Sequence, residues 1–220
     1  MPVRGLLFDL DGTLADTAPD LVAALNTVLG AQGLPPAAYA AARNVASYGA
    51  AGLLKLGLGL ADQQPLDENL RKDFLRIYAN RVWRDSRLFL SASAIDAVCA
   101  PSGVRWGIVT NKPAAFTEAL LSHIPQLRPE CVVSGDTLAH RKPHPAPLLH
   151  AASELELDPG TCVYVGDSSR DIEAGRAAEM TTVAAAYGYI PPDEQIAAWG
   201  ATHEAKTPQA LLDLLARLVA

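Results

Sequence analysis

The sequence has no run of lysine or arginine, no Cys-x-x-Cys pair, and no uncharged apolar stretch approaching the ~20 residues that a membrane-spanning helix needs. The first absence, with 18 Lys and Arg against 24 Asp and Glu and a formal net charge of −6, removes the basic face on which a nucleic-acid binder displaces counterions. The second removes the usual zinc and dithiol frameworks. The three cysteines, Cys99, Cys131 and Cys162, stand about thirty residues apart and read as reduced core thiols of a cytoplasmic protein. The third predicts a chain without a membrane span, and Asp9 comes too early to leave room for the apolar region of a secretory signal. Also missing are Gly-x-x-x-x-Gly-Lys-Ser/Thr, His-Glu-x-x-His and Gly-x-Ser-x-Gly, so nucleotide P-loops, zincins and serine-hydrolase elbows find no support. Neither nucleic acid nor membrane is an expected partner. A small molecule is, and if it is an anion the protein has to supply positive charge or a cation locally.

What the chain does have is the means to build a core: half of its 220 residues are apolar and 19% are charged, a balance that suits one or two domains. Short apolar runs at residues 6–10, 105–110, 131–134, 162–166 and 181–186 are each the length of a strand buried on both faces. Helix-length stretches at 93–100, 114–123, 146–156 and 172–178 lie between most of them, and the alternation predicts a parallel α/β sheet flanked by helices. An amphipathic helix is predicted over 207–218.

The alternation breaks once, where about 75 residues of purely helical pattern separate the first two strands. Leu21, Val22, Leu25, Val28 and Leu29 keep one face of a helix that Thr17 is placed to cap, and Leu66, Leu70, Phe74, Ile77 and Tyr78 mark another. The pattern predicts an α/β core over 1–14 and 90–220 with an inserted helical domain over 15–89.

Two acidic clusters carry the chemistry. In Phe8-Asp9-Leu10-Asp11-Gly12-Thr13 an apolar strand ends with carboxylates at i and i+2, which leave a strand on the same side. An EF-hand alternative fails, because the sixth position of its loop is Leu14 and the twelfth is Asp20. In Val163-Tyr164-Val165-Gly166-Asp167-Ser168-Ser169-Arg170-Asp171 a second strand ends the same way, although Ser168 or Ser169 capping a helix with Asp171 in its first turn accounts for part of that pattern. Close carboxylates are tolerated when a cation sits between them or one is protonated, and an oxygen-only set suits Mg²⁺ better than zinc. The cationic counterpart is Lys142, on a loop stiffened by Pro143 and Pro145, and Thr110-Asn111 ends another strand with a hydroxyl and an amide.

Asp9-Leu10-Asp11-Gly12-Thr13, Thr110-Asn111, Lys142-Pro143 and Gly166-Asp167 to Asp171, in that order and strand context with a helical insert after the first, resemble the four motifs of the haloacid dehalogenase superfamily. The branch resembled has a helical cap and is typified by phosphoglycolate and sugar-phosphate phosphatases. The resemblance implies that Asp9 attacks phosphorus to form an aspartyl phosphate, that Asp11 protonates the leaving oxygen and then activates water, and that Thr110 and Lys142 hold the phosphoryl oxygens. It implies Mg²⁺ bound by Asp9, the carbonyl of Asp11 and Asp167, with Asp171 assisting from the outer shell. The superfamily's dehalogenases lack the second carboxylate of the first motif, so Asp11 argues for phosphoryl transfer. The segment 88–94 lacks the Pro-Gly pair common in relatives before the second motif.

Thr13 and Asn111 in the core, with Gly49, Lys55 and Arg43 in the insert, are the further candidates for holding substrate. The substrate implied is a small phosphorylated metabolite. Residues 187–192 and 199–201 resemble both phosphoglycolate phosphatases and N-acetylmuramic acid 6-phosphate phosphatases. A phosphomutase would share Asp9 and Asp11 but return the phosphoryl group to sugar, and a non-catalytic sensor of a phosphorylated metabolite would bind without turnover. Monomer and homodimer both remain open.

Overall fold

The computed structural model describes residues 2–220. In chain order the elements are β1 (Gly5–Phe8), β2 (Ala15–Asp16), α1 (Ala18–Ala31), α2 (Tyr39–Asn44), α3 (Gly49–Leu58), α4 (Glu68–Ala79), β3 (Arg87–Leu88), α5 (Ala92–Cys99), β4 (Arg105–Val109), α6 (Ala114–Ser122), β5 (Cys131–Val133), α7 (Ala146–Glu154), β6 (Cys162–Gly166), α8 (Ser169–Ala177), β7 (Thr181–Ala185), β8 (His203–Ala205) and α9 (Pro208–Val219).

Six strands form one parallel sheet in the order β5-β4-β1-β6-β7-β8. The predicted α/β class is therefore observed, and alternate side chains explain how the sheet is covered. Leu6 and Phe8 of β1 join one apolar cluster with Ile108, Val163 and Val165, while Leu7 joins a second with Val109, Tyr164 and Leu148. Each large side chain taken fully out of water here contributes about 1.5–3 kcal/mol. The register sets where the functional residues emerge: Phe8 lies beside Ile108 on one neighbour and Val165 on the other, so the residues just past these strands, 9–11, 110–112 and 166–171, lie side by side at the carboxyl edge.

Helices α1 to α4 pack on one another as a layer between β2 and β3, built around buried Leu25, Leu29, Leu53, Leu54, Phe74 and Tyr78. The chain crosses into and out of this layer through the antiparallel pair β2 and β3, too short to announce itself as strands in the sequence. Asp20, buried in the first turn of α1, fixes the return. It accepts hydrogen bonds from the Asp85 N–H at 3.1 Å, the Ser86 N–H at 3.1 Å and the Ser86 hydroxyl at 2.6 Å.

Three local expectations are corrected. β1 ends at Phe8 rather than continuing to Leu10, because the chain turns at Gly12, whose φ of +86° favours glycine. The edge strand β8, His-Glu-Ala, has no counterpart among the expected strands, since only Ala205 of it is buried and it has no apolar run. The Thr17 side chain does not cap α1. The Tyr189 hydroxyl takes that place, accepting from the N–H groups of Thr17 at 2.6 Å and Ala18 at 2.9 Å, and the Thr17 hydroxyl donates to Asp11 Oδ1 at 2.5 Å. All three cysteines are buried and free, and among the described residues no helix is long and apolar enough to cross a membrane.

Candidate active site

The carboxyl ends of β1, β4 and β6, the loop before α7 and the first turn of α3 surround a cavity of about 510 Å³, with Asp9, Asp11, Thr110, Lys142 and Asp171 in its wall. Its roof comes from the helical layer: Gly49, Ala50 and Ala51 bring the amino end of α3, and Phe74, Leu75 and Tyr78 bring one face of α4.

Lys142 is the hub. Only 3% exposed, its ammonium donates to Asp9 Oδ1 at 2.9 Å, the Val109 carbonyl at 2.8 Å and the Tyr164 hydroxyl at 2.7 Å, and lies 2.7 Å from Asp171 Oδ1. Burial alone would push this amine down, but Asp171 and Asp9 outweigh it and hold the ammonium above its ordinary value. Asn111 lines the cavity with its amide engaged on the lysine arm. Its Nδ2 donates to the Lys142 carbonyl at 2.9 Å and its Oδ1 accepts from the Lys142 N–H at 3.1 Å, so it holds the lysine arm in place.

Asp9 is 8% exposed, and burial pushes its carboxyl up to about 6, with Asp171 adding to the rise and Lys142 opposing it. Asp167 is buried more completely. Burial, Asp9 and Asp171 push it well above the usual carboxylate range, against the Tyr189 N–H at 2.7 Å and the Ser47 hydroxyl at 3.2 Å on its Oδ2. Its Oδ1 has no hydrogen-bond partner, and Asp9, Asp167 and Asp171 each present an oxygen within 4.8 Å of the others. An orphaned buried carboxylate oxygen facing two further carboxylates is what a divalent cation resolves, and an all-oxygen donor set is that of a hard ion. Asp171 is the most committed of the three: Oδ1 also accepts from Tyr164 at 3.0 Å, and Oδ2 accepts from the Ser168 N–H at 3.1 Å in a capping box. Asp171 is thus at once the N3 partner of the Ser168 cap and a member of the acidic cluster.

Asp11 stands apart from this cluster and is part-exposed. Lys112, buried just past β4, donates to its Oδ1 at 3.0 Å and its Oδ2 at 3.2 Å and to the Tyr78 hydroxyl at 2.8 Å. Burial pulls the Lys112 amine down, but Asp11 and Tyr78 more than reverse that. Lys112 is absent from the residues that the sequence pattern singles out. A signal for it exists, for Lys112-Pro113 after a strand end repeats the Lys142-Pro143 pattern.

The remaining candidates divide. Gly49 lines the cavity. Thr13 does not: its hydroxyl is buried without a partner, and its carbonyl accepts from Tyr187 at 2.9 Å. Lys55 points away, donating to the Asp62 carbonyl. Arg43 spends its guanidinium on the core, donating to the Gly188 carbonyl at 2.9 Å and the Tyr187 carbonyl at 3.3 Å with its Cζ 4.9 Å from the centre of the Tyr189 ring. Arg43 docks the helical layer on the sheet domain.

Three strand ends and the loop before α7, meeting in this order beneath a helical layer, define a class, and the comparison with known sequences agrees. Residues 6–185 match the haloacid dehalogenase-like hydrolase family, and the chain belongs to it. Within the family it is similar to phosphatases. It is 39% identical to the N-acetylmuramic acid 6-phosphate phosphatase of Pseudomonas aeruginosa over 218 residues, 99% of this chain and 96% of that one. It is 40% identical to the phosphoglycolate phosphatase of Xanthomonas campestris over 209 residues, 94% of each chain. Among solved structures, a predicted phosphoglycolate phosphatase from Haemophilus somnus superposes with a TM-score of 0.82 at 26% identity, covering 96% of this chain and 97% of that one.

Proposed function

We propose that the chain is a Mg²⁺-dependent phosphomonoesterase acting on a small acidic phosphorylated metabolite in the cytoplasm, through an aspartyl-phosphate intermediate. The observation that carries this reading is the pairing of two differently held carboxylates at one strand end. Asp9 is buried, bonded to Lys142 and grouped with Asp167 and Asp171, whereas Asp11, two residues on, is turned to a separate lysine.

In this scheme Asp9 supplies the oxygen that attacks phosphorus, and Asp11 carries the proton for the departing ester oxygen and later takes one from water. Lys142 balances charge on the phosphoryl oxygens, and Thr110, 3% exposed on the cavity wall, offers them a hydroxyl. Asp9, Asp167 and the Asp11 carbonyl would hold Mg²⁺, with Asp171 supporting them from behind. Bound there, the ion would neutralise phosphate charge and lower the cost of two close carboxylates. Residues 15–89 serve as the cap that excludes bulk water, docked by Arg43.

Two substrates follow from the similar proteins, 2-phosphoglycolate and N-acetylmuramic acid 6-phosphate. The cavity favours the second. At about 510 Å³, with Tyr48, Phe74, Tyr78 and Phe116 among its walls, it is far larger than a two-carbon acid requires and has the aromatic surface on which a sugar ring packs. The test is phosphate release with Mg²⁺, as kcat/KM on the two esters side by side. The expected result is turnover of both, faster on the amino sugar. A preference for 2-phosphoglycolate would reverse the choice of substrate, and an isomerised sugar phosphate without phosphate release would replace the hydrolase reading with a mutase.

A further inference from the structure

Lys112 is a buried cation to which the proposed mechanism gives no task. Its main chain is fixed, the N–H donating to Thr110 Oγ1 at 3.2 Å and the carbonyl accepting from the Gly135 N–H at 2.9 Å. Its three ammonium donors are all committed, to Asp11 Oδ1, Asp11 Oδ2 and the Tyr78 hydroxyl, leaving none for a substrate. A buried ammonium persists only beside a counter-charge, and a carboxylate gripped at both oxygens cannot rotate without losing a contact, so the two side chains fix one another. Tyr78 is itself held by aromatic packing, its ring centre 5.3 Å from that of Phe116 and 6.5 Å from that of Phe74, and the ammonium lies 4.8 Å from the ring centre. Lys112 comes from the sheet domain and Tyr78 from α4 of the helical layer.

We propose that Lys112 and Tyr78 are positioning residues for Asp11: Lys112 orients its carboxylate, and Tyr78 makes that orientation depend on α4 being seated. The inference rests on the reading of Asp11 as proton donor to the leaving group: in that step the carboxyl is protonated and keeps one oxygen on Lys112, which fixes where its O–H points. In that half-reaction an oxygen of Asp9 forms the bond to phosphorus, and the bond from phosphorus to the ester oxygen breaks with its electron pair passing to that oxygen. The proton carried by Asp11 moves to the same oxygen, and an alcohol departs. An alkoxide needs that proton; 4-nitrophenolate leaves without it. A displaced Asp11 therefore penalises alkyl esters selectively, whereas general damage to the fold penalises both kinds alike.

The experiment measures kcat/KM in Mg²⁺ for wild type, Asp11→Asn, Lys112→Met and Tyr78→Phe. The substrates are 4-nitrophenyl phosphate and whichever of 2-phosphoglycolate and N-acetylmuramic acid 6-phosphate the wild type turns over faster. Asp11→Asn should lose about 10²- to 10⁴-fold on the alkyl ester and far less on the aryl one. Lys112→Met should lose about 10- to 100-fold on the alkyl ester and less than about fivefold on the aryl one. Tyr78→Phe, which keeps the ring packing and so the fold, should lose less in the same selective pattern. If Asp11→Asn is selective but Lys112→Met and Tyr78→Phe fall equally on both esters, the positioning role is overturned and the reading of Asp11 stands. If Asp11→Asn is itself unselective, that reading fails and this inference fails with it.

Discussion

Gly12→Ala isolates the closest approach in the site. Gly12 sits at φ +86°, and a β-carbon built there would lie 2.0 Å from Asp167 Oδ2, 2.7 Å from its Cγ and 3.0 Å from Tyr189 Cδ2. The backbone conformation costs an alanine about 1–2 kcal/mol. The collision costs more, because Asp167 Oδ2 is not free to swing away. It is held by the Tyr189 N–H at 2.7 Å and the Ser47 hydroxyl at 3.2 Å, and leaving such a buried group unsatisfied costs about 1–3 kcal/mol. Relieving the contact breaks at least one of these bonds, so the substitution should cost about 2–5 kcal/mol in all. Gly103→Ala is the control: its φ is +62°, and nothing lies within 4 Å of the added carbon, so it should cost only the backbone share of about 1–2 kcal/mol. Urea unfolding of the two variants and wild type in EDTA reads the difference, and a Mg²⁺ titration of phosphate release reads the displaced carboxylate as a raised half-saturation. Equal destabilisation by the two alanines, with an unchanged Mg²⁺ requirement, would refute the crowding of Asp167 by Gly12.

Two further expectations concern charge. Asp9→Asn should abolish turnover while the fold persists, and it should also change how metal-free stability depends on pH. Burial first, and Asp171 next, raise the Asp9 carboxyl from 3.8 to about 6 in the folded protein despite Lys142, so its favourable contribution is complete below the unfolded value and is lost as pH rises through about 6. The stability of Asp9→Asn relative to wild type in EDTA should therefore grow between about pH 4 and pH 7, and a difference that stays flat would contradict a burial cost that Lys142 offsets only in part. Ca²⁺ in place of Mg²⁺ should lower phosphate release by about tenfold or more, since its longer and looser coordination would misplace the attacking oxygen; equal rates would count against a tightly held Asp9.

The sheet and the acidic residues at its edge are legible in the sequence because both are written in short-range pattern. Strands buried on both faces read as unbroken apolar runs, and a carboxylate at the end of such a run has nowhere to go but the carboxyl edge, as for Asp9 and Asp167. What escapes a sequence reading depends on partners distant in the chain. Arg43 is an ordinary helical cation until the insert is placed, and only then does it fall on the Gly188 carbonyl, far along the chain, whereas Lys55 turns to the nearby Asp62 carbonyl. Thr17 has the right residue type for a helix cap, yet Tyr189, 172 positions away, takes that role and frees the threonine hydroxyl for Asp11. Lys112 is hidden by composition alone, being one lysine among several, although its proline neighbour and its place after a strand end mark it as strongly as Lys142.

The same geometry explains how a chain of net charge −6 recruits an anion. The long-range field is repulsive but is screened beyond about 8–10 Å at physiological salt, so the charge lining the cavity decides. There, Lys112 and Lys142 are balanced by Asp11, Asp9 and Asp171. Arg71, Arg141 and Arg170 also line the cavity, and their charge is largely unspent: Arg71 pairs only with exposed Glu68, and Arg170 donates to the neutral Ser47 carbonyl at 2.6 Å. Among the described residues, neither Arg141 nor Arg170 is paired with a carboxylate in any ion pair. In the proposed scheme the buried lysines hold the carboxylates, Lys142 meeting the phosphoryl group as well, and the guanidinium groups are left to attract the rest of an anionic substrate. A phosphate monoester of the same size without a further acid group would gain less from that second set of charges, so discrimination in favour of substrates bearing an additional acid group should weaken as salt rises, while the proposed chemistry at Asp9, shielded by burial, should not.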